Sequence, residues 1–597
     1  MRIPGWESST QTKALREQIS VYVEKIVSQE IPRIPFNGYQ EYRKTGSRKE
    51  FEDAYFEVRK QLTALGLYLQ WNAPSQKEGV FHKERVFNKE RSYFNELLWS
   101  VANEFSWCLG AHLSYGEQGF LGEPSKQIDL FSSETAATLA EILILHPDKI
   151  DPYIQRYIRS QINDRVLTPF LEKDWGWETS KNNWCAVCSG SVGMAALLLE
   201  TGEKRKQILD KVERALVYYL QCFGEDGATE EGIGYWAYGF GYYIYYTAMR
   251  LELDSEYKLS DAIRNKVKKI AEFPQLVQMT KVSFVPFSDS STDTLIPTGL
   301  ISYLQQEYGA VPPVCTAITP FDFDHCYRFA HISRNLWWTR KEIFGQPRSN
   351  IATYFQDKQW LIQRKDACFV AVKGGNNKEE HNHNDVGSFL LALDGELLLA
   401  DLGAGPYTAD YFGEKRYQYP HTRSLWHNLP LLQGKEQVPT ATMCIVEDVR
   451  VQKAPTEVEK VEETNITGAE VSIRMELSGL YELPELNSFH RVLESDMIDC
   501  TIRLKDSFLA KEKIAIEEGF VSVVKPTEIN EGVIQWRGKN GQVSLYYDSL
   551  SMDYIVEEKE LGNHRNEKYI VYRLGLRVKD KVDECEIALK FIYELKN

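Results

Sequence analysis

The spacing of apolar residues changes from a helical period to a strand period near residue 350. Between Thr10 and about Glu342, apolar residues recur three and four positions apart, which places them on one face of an α-helix. Short turns such as "HPDKIDP" and "FGEDG" separate these runs. The sequence therefore predicts a large all-α domain of stacked helix pairs over residues 1–345. Two runs show the period: Phe94, Leu97, Leu98, Val101, Ala102 and Phe105, then Leu209, Val212, Leu216, Tyr219, Leu220 and Phe223.

After about Asn350 the apolar and polar residues alternate. The clearest stretches are "EVSIRMELSG", "RVLESDMIDCTIRLKD" and "ECEIALKFIYEL", with turn clusters such as "GKNGQ" between stretches of this kind. Alternation with period two is typical of strands that bury one face, so residues 346–597 are predicted to form an antiparallel β domain of stacked sheets. Within it, "SFLLALDGELLLAD" predicts a hairpin, because Asp394-Gly395 is a favoured type I′ turn pair.

Composition narrows the range of functions. The chain has 597 residues, of which 43% are hydrophobic and 26% charged, so two or more globular domains are expected. Its net charge of -15 argues against a nucleic-acid binder and against attraction to anionic surfaces. An acidic substrate would therefore need a local basic cleft.

Location and cysteine usage give further expectations. The beginning of the sequence, "MRIPGWESSTQTKALREQ", has no apolar core of signal-peptide length, and no other stretch is long and apolar enough to span a bilayer. We therefore expect a cytoplasmic protein. The ten cysteines show no disulfide-like spacing, which fits a reducing compartment. Cys185 and Cys188 form a lone CxxC, for which two buried small residues on a helix are favoured over a metal site.

Three stretches carry candidate chemistry. In "KNNWCAVCSGSVGMAALLL", the residues before the apolar helix could be an ordinary helix cap or an amide aimed at a bound anion. In "EDGATEEGIGYWAYGFGYYIYYTAMR", an aromatic stripe could be core packing, although its glycines leave room for a ligand. The third is "EEHNHNDVGSFLLALDGELLLADLG", followed by "WHNLP".

Together and in this order, the stretches resemble the heparinase II/III-like polysaccharide lyases. The resemblance includes "EFSWCLGAHL", "IDLFSSETAATLAEILILHPDKI", "NNWCAVC", "DGATEEGIGYW" and "HNHNDVGSFLLALDGELLLADLGAGPYT". It implies an N-terminal incomplete (α/α) toroid and a C-terminal antiparallel β-sandwich. It also implies β-elimination on glycans that contain uronic acid. Heparin or heparan sulfate is the first expectation, followed by hyaluronan, chondroitin or alginate.

The chemistry of such a lyase assigns roles to particular residues. The proton on C5 of a uronate is weakly acidic, so the neighbouring carboxylate must be neutralised by hydrogen-bond donors in a water-poor site. By resemblance, Asn183 and His381 are these donors, and Tyr235 removes the C5 proton and protonates the leaving O4. Some family members have a histidine directly after the asparagine, as a base for the other C5 epimer. Trp184 occupies that position here, which favours syn elimination by Tyr235. Further contacts to substrate are expected from Asn182, Trp184, Trp236, Tyr238, Arg416 and Arg423.

The resemblance also implies a zinc ion, with a structural role, bound by His383, Asp401 and His427. The alternative is that these are satisfied polar residues in a loop of the β core. A tight turn at Asp394-Gly395 would place Asp401 opposite Ser388, with His383 roughly 16 Å further along an extended strand. The zinc site therefore requires a bulge or a fold-back in "HNHND", or a longer turn. Asn384 and Asp385 are expected to brace that turn through side-chain to backbone bonds.

Two other functions remain open. One is a toroid glycoside hydrolase acting on uronyl oligosaccharides, which needs a pair of carboxylates. Asp226, Glu230 and Glu231 are its only visible candidates, and adjacent glutamates on one loop point apart. The other is a non-catalytic glycan-binding protein. The expected partner is an acidic oligosaccharide, with no nucleic acid and no membrane, and a homodimer is left open.

Overall fold

The structure is a computed structural model. It describes residues 10–72, 80–117, 119–379, 381–406, 408, 410–411, 413–451, 470–565 and 567–596. The chain forms two compact units. The helical unit comprises Met1–Cys222, Tyr235–Asn265 and Leu295–Gly345, and the β unit comprises Phe223–Gly234, Lys266–Thr294 and Gln346–Asn597. Two short segments that precede residue 346 therefore belong to the β unit.

Helices dominate the first part of the chain, as the sequence period predicts. They are α1 (Lys13–Ile26), α2 (Glu41–Thr45), α3 (Lys49–Tyr68), α4 (Val80–Ala102), α5 (Leu130–Leu145), α6 (Pro152–Ile162), α7 (Thr168–Glu172), α8 (Asn183–Leu199), α9 (Gly202–Tyr219), α10 (Ile233–Tyr235), α11 (Gly241–Leu253), α12 (Asp261–Leu276), α13 (Thr298–Tyr308) and α14 (Phe329–Trp338).

The apolar spacing predicts the buried faces of α4 and α9. Leu97 and Val101 of α4 are fully buried, and so is Val212 of α9. Phe105 departs from the prediction, because α4 ends at Ala102 and the Phe105 side chain is 37% exposed. The spacing of Phe105 extends a helical pattern past the point where the helix stops.

Helix α8 lies in the core of the helical unit and is buried on almost all sides. Its glycines allow this packing. A Cβ at Gly190 would lie 2.9 Å from the carbonyl oxygen of Tyr242, and one at Gly193 would lie 2.5 Å from the ring of Tyr246. Because α8 is held this closely against α11, the position of its first residues is well determined. Cys185 and Cys188 are buried on this helix with free thiols, in agreement with the packing interpretation.

Strands follow from residue 351, after a single short pair in the helical unit among the described residues. They are β1 (Tyr115–Gly116), β2 (Gly119–Phe120), β3 (Ile351–Phe355), β4 (Trp360–Lys365), β5 (Cys368–Val372), β6 (Phe389–Leu393), β7 (Glu396–Leu399), β8 (Leu431–Leu432), β9 (Ile445–Val451), β10 (Glu470–Glu476), β11 (Leu486–Asp496), β12 (Thr501–Ile514), β13 (Ile516–Ser522), β14 (Pro526–Asn530), β15 (Val533–Arg537), β16 (Gly541–Tyr546), β17 (Met552–Gly562), β18 (Lys568–Val578) and β19 (Val582–Leu595).

The β unit contains three antiparallel sheets in the described residues. Their strand orders are β14-β15-β16-β19-β12-β11-β10-β9, then β17-β18-β13-β8, and β3-β4-β5-β6-β7. Residues from all three sheets contribute to one apolar core. The predicted alternation is observed in β10, where Val471, Ile473 and Met475 are buried and the residues between them are half-buried or exposed. A helical N-terminal part and an antiparallel β C-terminal part are thus confirmed.

Among the described helices, none combines the length and the apolar character required to cross a membrane.

Candidate active site and metal centre

In the helical unit, two asparagines begin helix α8. The Asn182 side chain accepts a hydrogen bond from the backbone N–H of Trp184 at 3.2 Å, so Asn182 is the N-cap of the helix. Asn183 is the first helical residue and is 2% exposed. The capping interpretation therefore accounts for Asn182, and it does not account for the amide of Asn183.

Asn183 packs closely against the segment that follows Tyr235. Tyr235 ends α10 and is half-buried, and Trp236–Phe240 form one turn of π-helix. A Cβ at Gly239 would lie 2.7 Å from the Tyr219 hydroxyl and 3.1 Å from both Cα and Cβ of Asn183, so a side chain here would crowd these residues. Single π-helical turns occur frequently at functional sites. The structure thus brings the Asn183 backbone against the turn that begins next to Tyr235.

The other aromatic residues of this stretch are mostly packing residues. Trp236 is 1% exposed. The guanidinium of Arg328 lies over the Tyr238 ring, 3.8 Å from its centroid. Burial raises the pKa of Tyr238 well above its usual value, which makes its phenolate unfavourable. The predicted role of Tyr238 in substrate binding stays a prediction, and Tyr238 is a poor alternative to Tyr235 as a base.

A histidine that the sequence analysis did not single out lies beside Trp184. The ring centroids of His112 and Trp184 are 4.9 Å apart, and both residues are half-buried. The Nδ1 of His112 lies 2.7 Å from Oδ2 of Asp129, the N-cap of α5. His112 belongs to the "EFSWCLGAHL" stretch. Because it is far from Trp184 in sequence, the sequence gives no sign that the two residues are in contact.

In the β unit, the "HNHND" segment is irregular rather than a strand. His381 has a φ of 57°, in the left-handed region that a histidine rarely adopts. Gly387 has a φ of 88°, and the N–H of Ser388 donates to the carbonyl of Asp385 at 3.0 Å, which closes a turn before β6. The chain therefore folds back, which is one of the arrangements that a zinc site requires.

The turn at Asp394-Gly395 is also as predicted. Both residues have positive φ, of 45° and 80°, as a type I′ turn demands. The pairing of β6 with β7 shifts register between Leu391 and Ala392, so a bulge adds to the fold-back. Together these two irregularities remove the separation that a regular hairpin would impose between His383 and Asp401.

Asp289 is the residue at the centre of this site, and the sequence analysis did not identify it. Its buried carboxylate accepts hydrogen bonds from Tyr411 Oη at 2.6 Å and Arg416 Nη2 at 2.9 Å. It also lies 3.1 Å from Nδ1 of His381 and 3.2 Å from Nε2 of His383. Burial alone would raise the pKa of Asp289, but these hydrogen bonds and the charge of Arg416 hold it well below its usual value. Asp289 lies in the segment "FSDSS", far from the histidines in sequence, so no local sequence pattern connects it with them.

The two histidines bound to Asp289 differ electrostatically. Burial would lower the pKa of His381, but the hydrogen bond and charge of Asp289 outweigh burial and raise it. The side chain of His381 is 19% exposed, and its Nε2 lies 3.9 Å from Glu231. His383 is fully buried, and burial lowers its pKa despite Asp289. His381 is thus suited to contact an anion, and His383 is suited to remain neutral.

His383, Asp401 and His427 lie close together, with one ligand atom from each within 4.8 Å of the others. All three are buried. His383 Nδ1, Asp401 Oδ2 and His427 Nε2 are buried atoms without a hydrogen-bond partner in the described residues. The remaining nitrogens of the rings are bound, His383 Nε2 by Asp289 and His427 Nδ1 by the carbonyl of Arg423 at 2.9 Å. Buried unpaired donors and acceptors are costly, and two histidines with one carboxylate fit a tetrahedral zinc site that has an additional ligand.

The polar residues between the histidines brace the loop. Asn382 donates to the carbonyl of Asn377 at 2.7 Å and accepts from Tyr417 at 2.9 Å. Asn384 donates to the carbonyl of Gln437 at 3.3 Å, a side-chain to backbone bond of the predicted kind that ties the loop to a distant segment. The prediction for Asp385 was wrong, because its carboxylate instead pairs with the buried ammonium of Lys373 at 2.8 Å. The ammonium of Lys373 compensates the buried charge of Asp385.

The charged residues that the sequence analysis proposed have partners within the β unit. Arg416 is bound to Asp289 and to the carbonyl of Asn382, and Arg423 pairs with Glu436. Glu230 pairs with Lys358, and Glu231 is 3% exposed. Asp226 accepts from the N–H of Ala228 at 3.1 Å. The carboxylates considered for a hydrolase are thus engaged in ion pairs or turns, and the predicted contacts of Arg416 and Arg423 to substrate stay predictions.

Comparisons of the sequence and of the structure with known proteins give different results. No protein family model and no curated protein matches the chain. Solved structures do. A heparinase III crystal structure aligns with a TM-score of 0.63 and 12% identity, over 100% of this chain and 87% of that one. A mutant of the heparan sulfate lyase HepC from Pedobacter heparinus gives 0.60 and 11%, over 100% and 86%. A Paenibacillus xanthan lyase gives 0.51 and 10%, over 98% of this chain and 58% of that one. The chain therefore has the fold of these polysaccharide lyases.

Proposed function

We propose that the protein is a polysaccharide lyase that cleaves uronic-acid glycans by β-elimination, with heparin or heparan sulfate oligosaccharides as its preferred substrates. The observation that carries the proposal is the environment of His381. A histidine with a raised pKa, oriented through Nδ1 by a buried carboxylate and partly exposed, is suited to bind a uronate carboxylate. The fold shared with lyases supports the same reaction.

The proposed roles follow the charge that develops during the reaction. His381 and Asn183 donate hydrogen bonds to the substrate carboxylate, which gains negative charge as C5 loses its proton. Tyr235 takes that proton as a phenolate and returns a proton to O4 as the C4–O4 bond breaks. The products are a 4,5-unsaturated uronate and a glycan with a free hydroxyl. We extend the proposal to the architecture, an incomplete (α/α) toroid in the helical unit and a β-sandwich in the β unit.

We also propose that His383, Asp401 and His427 hold a zinc ion. The buried atoms without partners on these three residues support it. When bound, zinc would supply structural cross-linking of the loop that contains His381. Asp289 orients the His383 ring for this role, because it binds Nε2 and leaves Nδ1 for the metal.

The test is the ultraviolet absorbance of the new conjugated double bond, measured on a panel of heparan, heparin, hyaluronan, chondroitin and alginate oligosaccharides. A lyase produces this absorbance with at least one of them. Release of saturated sugars without absorbance would show a hydrolase, and binding without turnover would show a glycan-binding protein. Either result would refute the proposal.

A further inference from the structure

His112 and Asp129 form a histidine–carboxylate pair next to Trp184, at the start of helix α8. Trp184 occupies the position after Asn183, where the sequence lacks a histidine, and the His112 ring lies 4.9 Å from the Trp184 ring between centroids. His112 comes from a short helical turn of residues Gly110–His112, before α5. The fold thus brings a histidine from another element to the start of α8.

Asp129 determines which nitrogen of His112 is available. Its carboxylate is 1% exposed and accepts from the N–H of Leu109 at 3.1 Å and of Ser132 at 2.7 Å. Burial would raise the pKa of Asp129, but its hydrogen bonds, with that from His112 foremost, lower it, so the group is ionised. An ionised carboxylate 2.7 Å from Nδ1 requires the proton to be on Nδ1. With a proton held on Nδ1, Nε2 is the ring nitrogen that can accept a further proton.

The two ring nitrogens of His112 differ in their contacts. Nε2 makes no hydrogen bond to any residue that the structure describes, whereas Nδ1 is bound to Asp129. The His112 side chain is 15% exposed, so a ligand can reach it. A cap for α5 requires only Asp129 and Ser132, which form a capping box without the imidazole. Helix capping therefore does not account for the histidine.

We propose that His112, oriented by Asp129, is the second base of this enzyme and removes the C5 proton from the uronate epimer whose proton lies on the face opposite to the leaving oxygen. This inference rests on the proposed lyase function and extends it to substrates of both C5 configurations, glucuronate and iduronate. The enzyme then keeps a second base although Trp184 stands where some similar lyases have a histidine, because the imidazole comes from a different part of the chain.

The reaction balances with these groups alone. Nε2 of His112 accepts the C5 proton, and the C5–H electron pair becomes the C4=C5 double bond. The C4–O4 bond breaks, and O4 takes a proton from the Tyr235 hydroxyl. His112 is left as an imidazolium and Tyr235 as a phenolate, and proton exchange with water restores both. For the other epimer, Tyr235 performs both transfers from one face and His112 is not needed.

The experiment compares two oligosaccharides that differ only in the C5 configuration of the uronate. The wild-type enzyme should form the double bond with both. His112→Gln should lower kcat/KM for the iduronate substrate by about 10²-fold or more and for the glucuronate substrate by less than about three-fold. Adding Trp184→His to His112→Gln should recover part of the iduronate activity, because it restores an imidazole next to Asn183. His325→Gln, at an exposed histidine of the same unit, is the matched control.

Several results would overturn the inference. Equal losses on both epimers would show that His112 only supports the fold, and full activity on both would show that it does nothing. A wild-type enzyme active on glucuronate and inactive on iduronate would also refute the second base without touching the lyase proposal. If the wild type forms no double bond with any uronate, the proposed function itself fails. His112→Asn serves as the second variant if the glutamine variant does not fold by circular dichroism.

Discussion

The two units provide candidate groups of opposite electrostatic character. In the helical unit, the Asn183 side chain is uncharged. It is placed by the helix that Asn182 caps and by the close packing that Gly239 allows. In the β unit, His381 is placed by a buried carboxylate that also binds Arg416. Neutral groups placed by packing cost little to bury, whereas a buried charge network must be fully satisfied to be stable. Substitutions should therefore separate chemistry from stability in the helical unit and disturb both in the β unit.

The largest effect is expected from Tyr235→Phe. The ring remains and only the hydroxyl is removed, so the free energy of unfolding should change little while turnover falls by about 10²- to 10⁴-fold. Steady-state kinetics by double-bond absorbance, together with a thermal melt, measure the two quantities. Tyr153→Phe, at an exposed tyrosine of the helical unit, is the control. A Tyr235 variant with near-normal turnover would remove it from the acid–base role.

The residues proposed to bind zinc should behave in the opposite way. Alanine at His383, Asp401 or His427 should abolish stoichiometric zinc binding and lower the melting temperature. A metal that binds only the folded state stabilises it by about 3–4 kcal/mol when the free metal concentration is 100 to 1,000 times the Kd. His381→Ala should keep its zinc, and Asp289 then still binds Arg416, Tyr411 and His383. Elemental analysis beside thermal melts separates the four variants. A wild-type protein whose melt ignores both chelator and added zinc would contradict the metal site.

These contrasts also explain what the sequence could reveal. The alternation in β10 and the i, i+3, i+4 spacing in α4 predict local structure, because they reflect burial on one face. The type I′ turn at Asp394-Gly395 follows from local backbone preference. Asp289 and His112 could not be predicted, because each acts through contacts with residues distant in sequence. Phe105 shows the same limit, since a period alone does not encode where a helix ends.

A smaller effect separates binding from transition-state stabilisation. Asn183→Ala and His381→Ala should each lower kcat by about 10- to 10²-fold and raise KM by less. The reason is that the extra charge on the carboxylate appears mainly in the transition state. Full kinetic curves on one oligosaccharide give both constants. Asn182→Ala is the matched control for Asn183, because its side chain caps α8 and its loss should lower stability by about 1 kcal/mol. A rise in KM alone would mean that Asn183 and His381 only hold the substrate.

The smallest effect concerns the dependence of stability on pH, which the comparison assigns to the β unit. Burial, with the carboxylate of Glu230 nearby, raises the pKa of Glu379 from 4.5 to about 7. Between these values the folded state binds a proton at Glu379 that the unfolded chain releases. The free energy of unfolding should therefore fall as pH rises through this window, by at most about 1.4 kcal/mol per pH unit.

Glu379→Gln imitates the protonated carboxyl, so its stability relative to wild type should increase from pH 5 to pH 7.5. Urea unfolding at several pH values measures the difference, and Glu414→Gln, at an exposed glutamate, is the control substitution. A constant difference between wild type and Glu379→Gln across that range would mean that Glu379 is ionised in the folded protein and that the charge network of the β unit accommodates it.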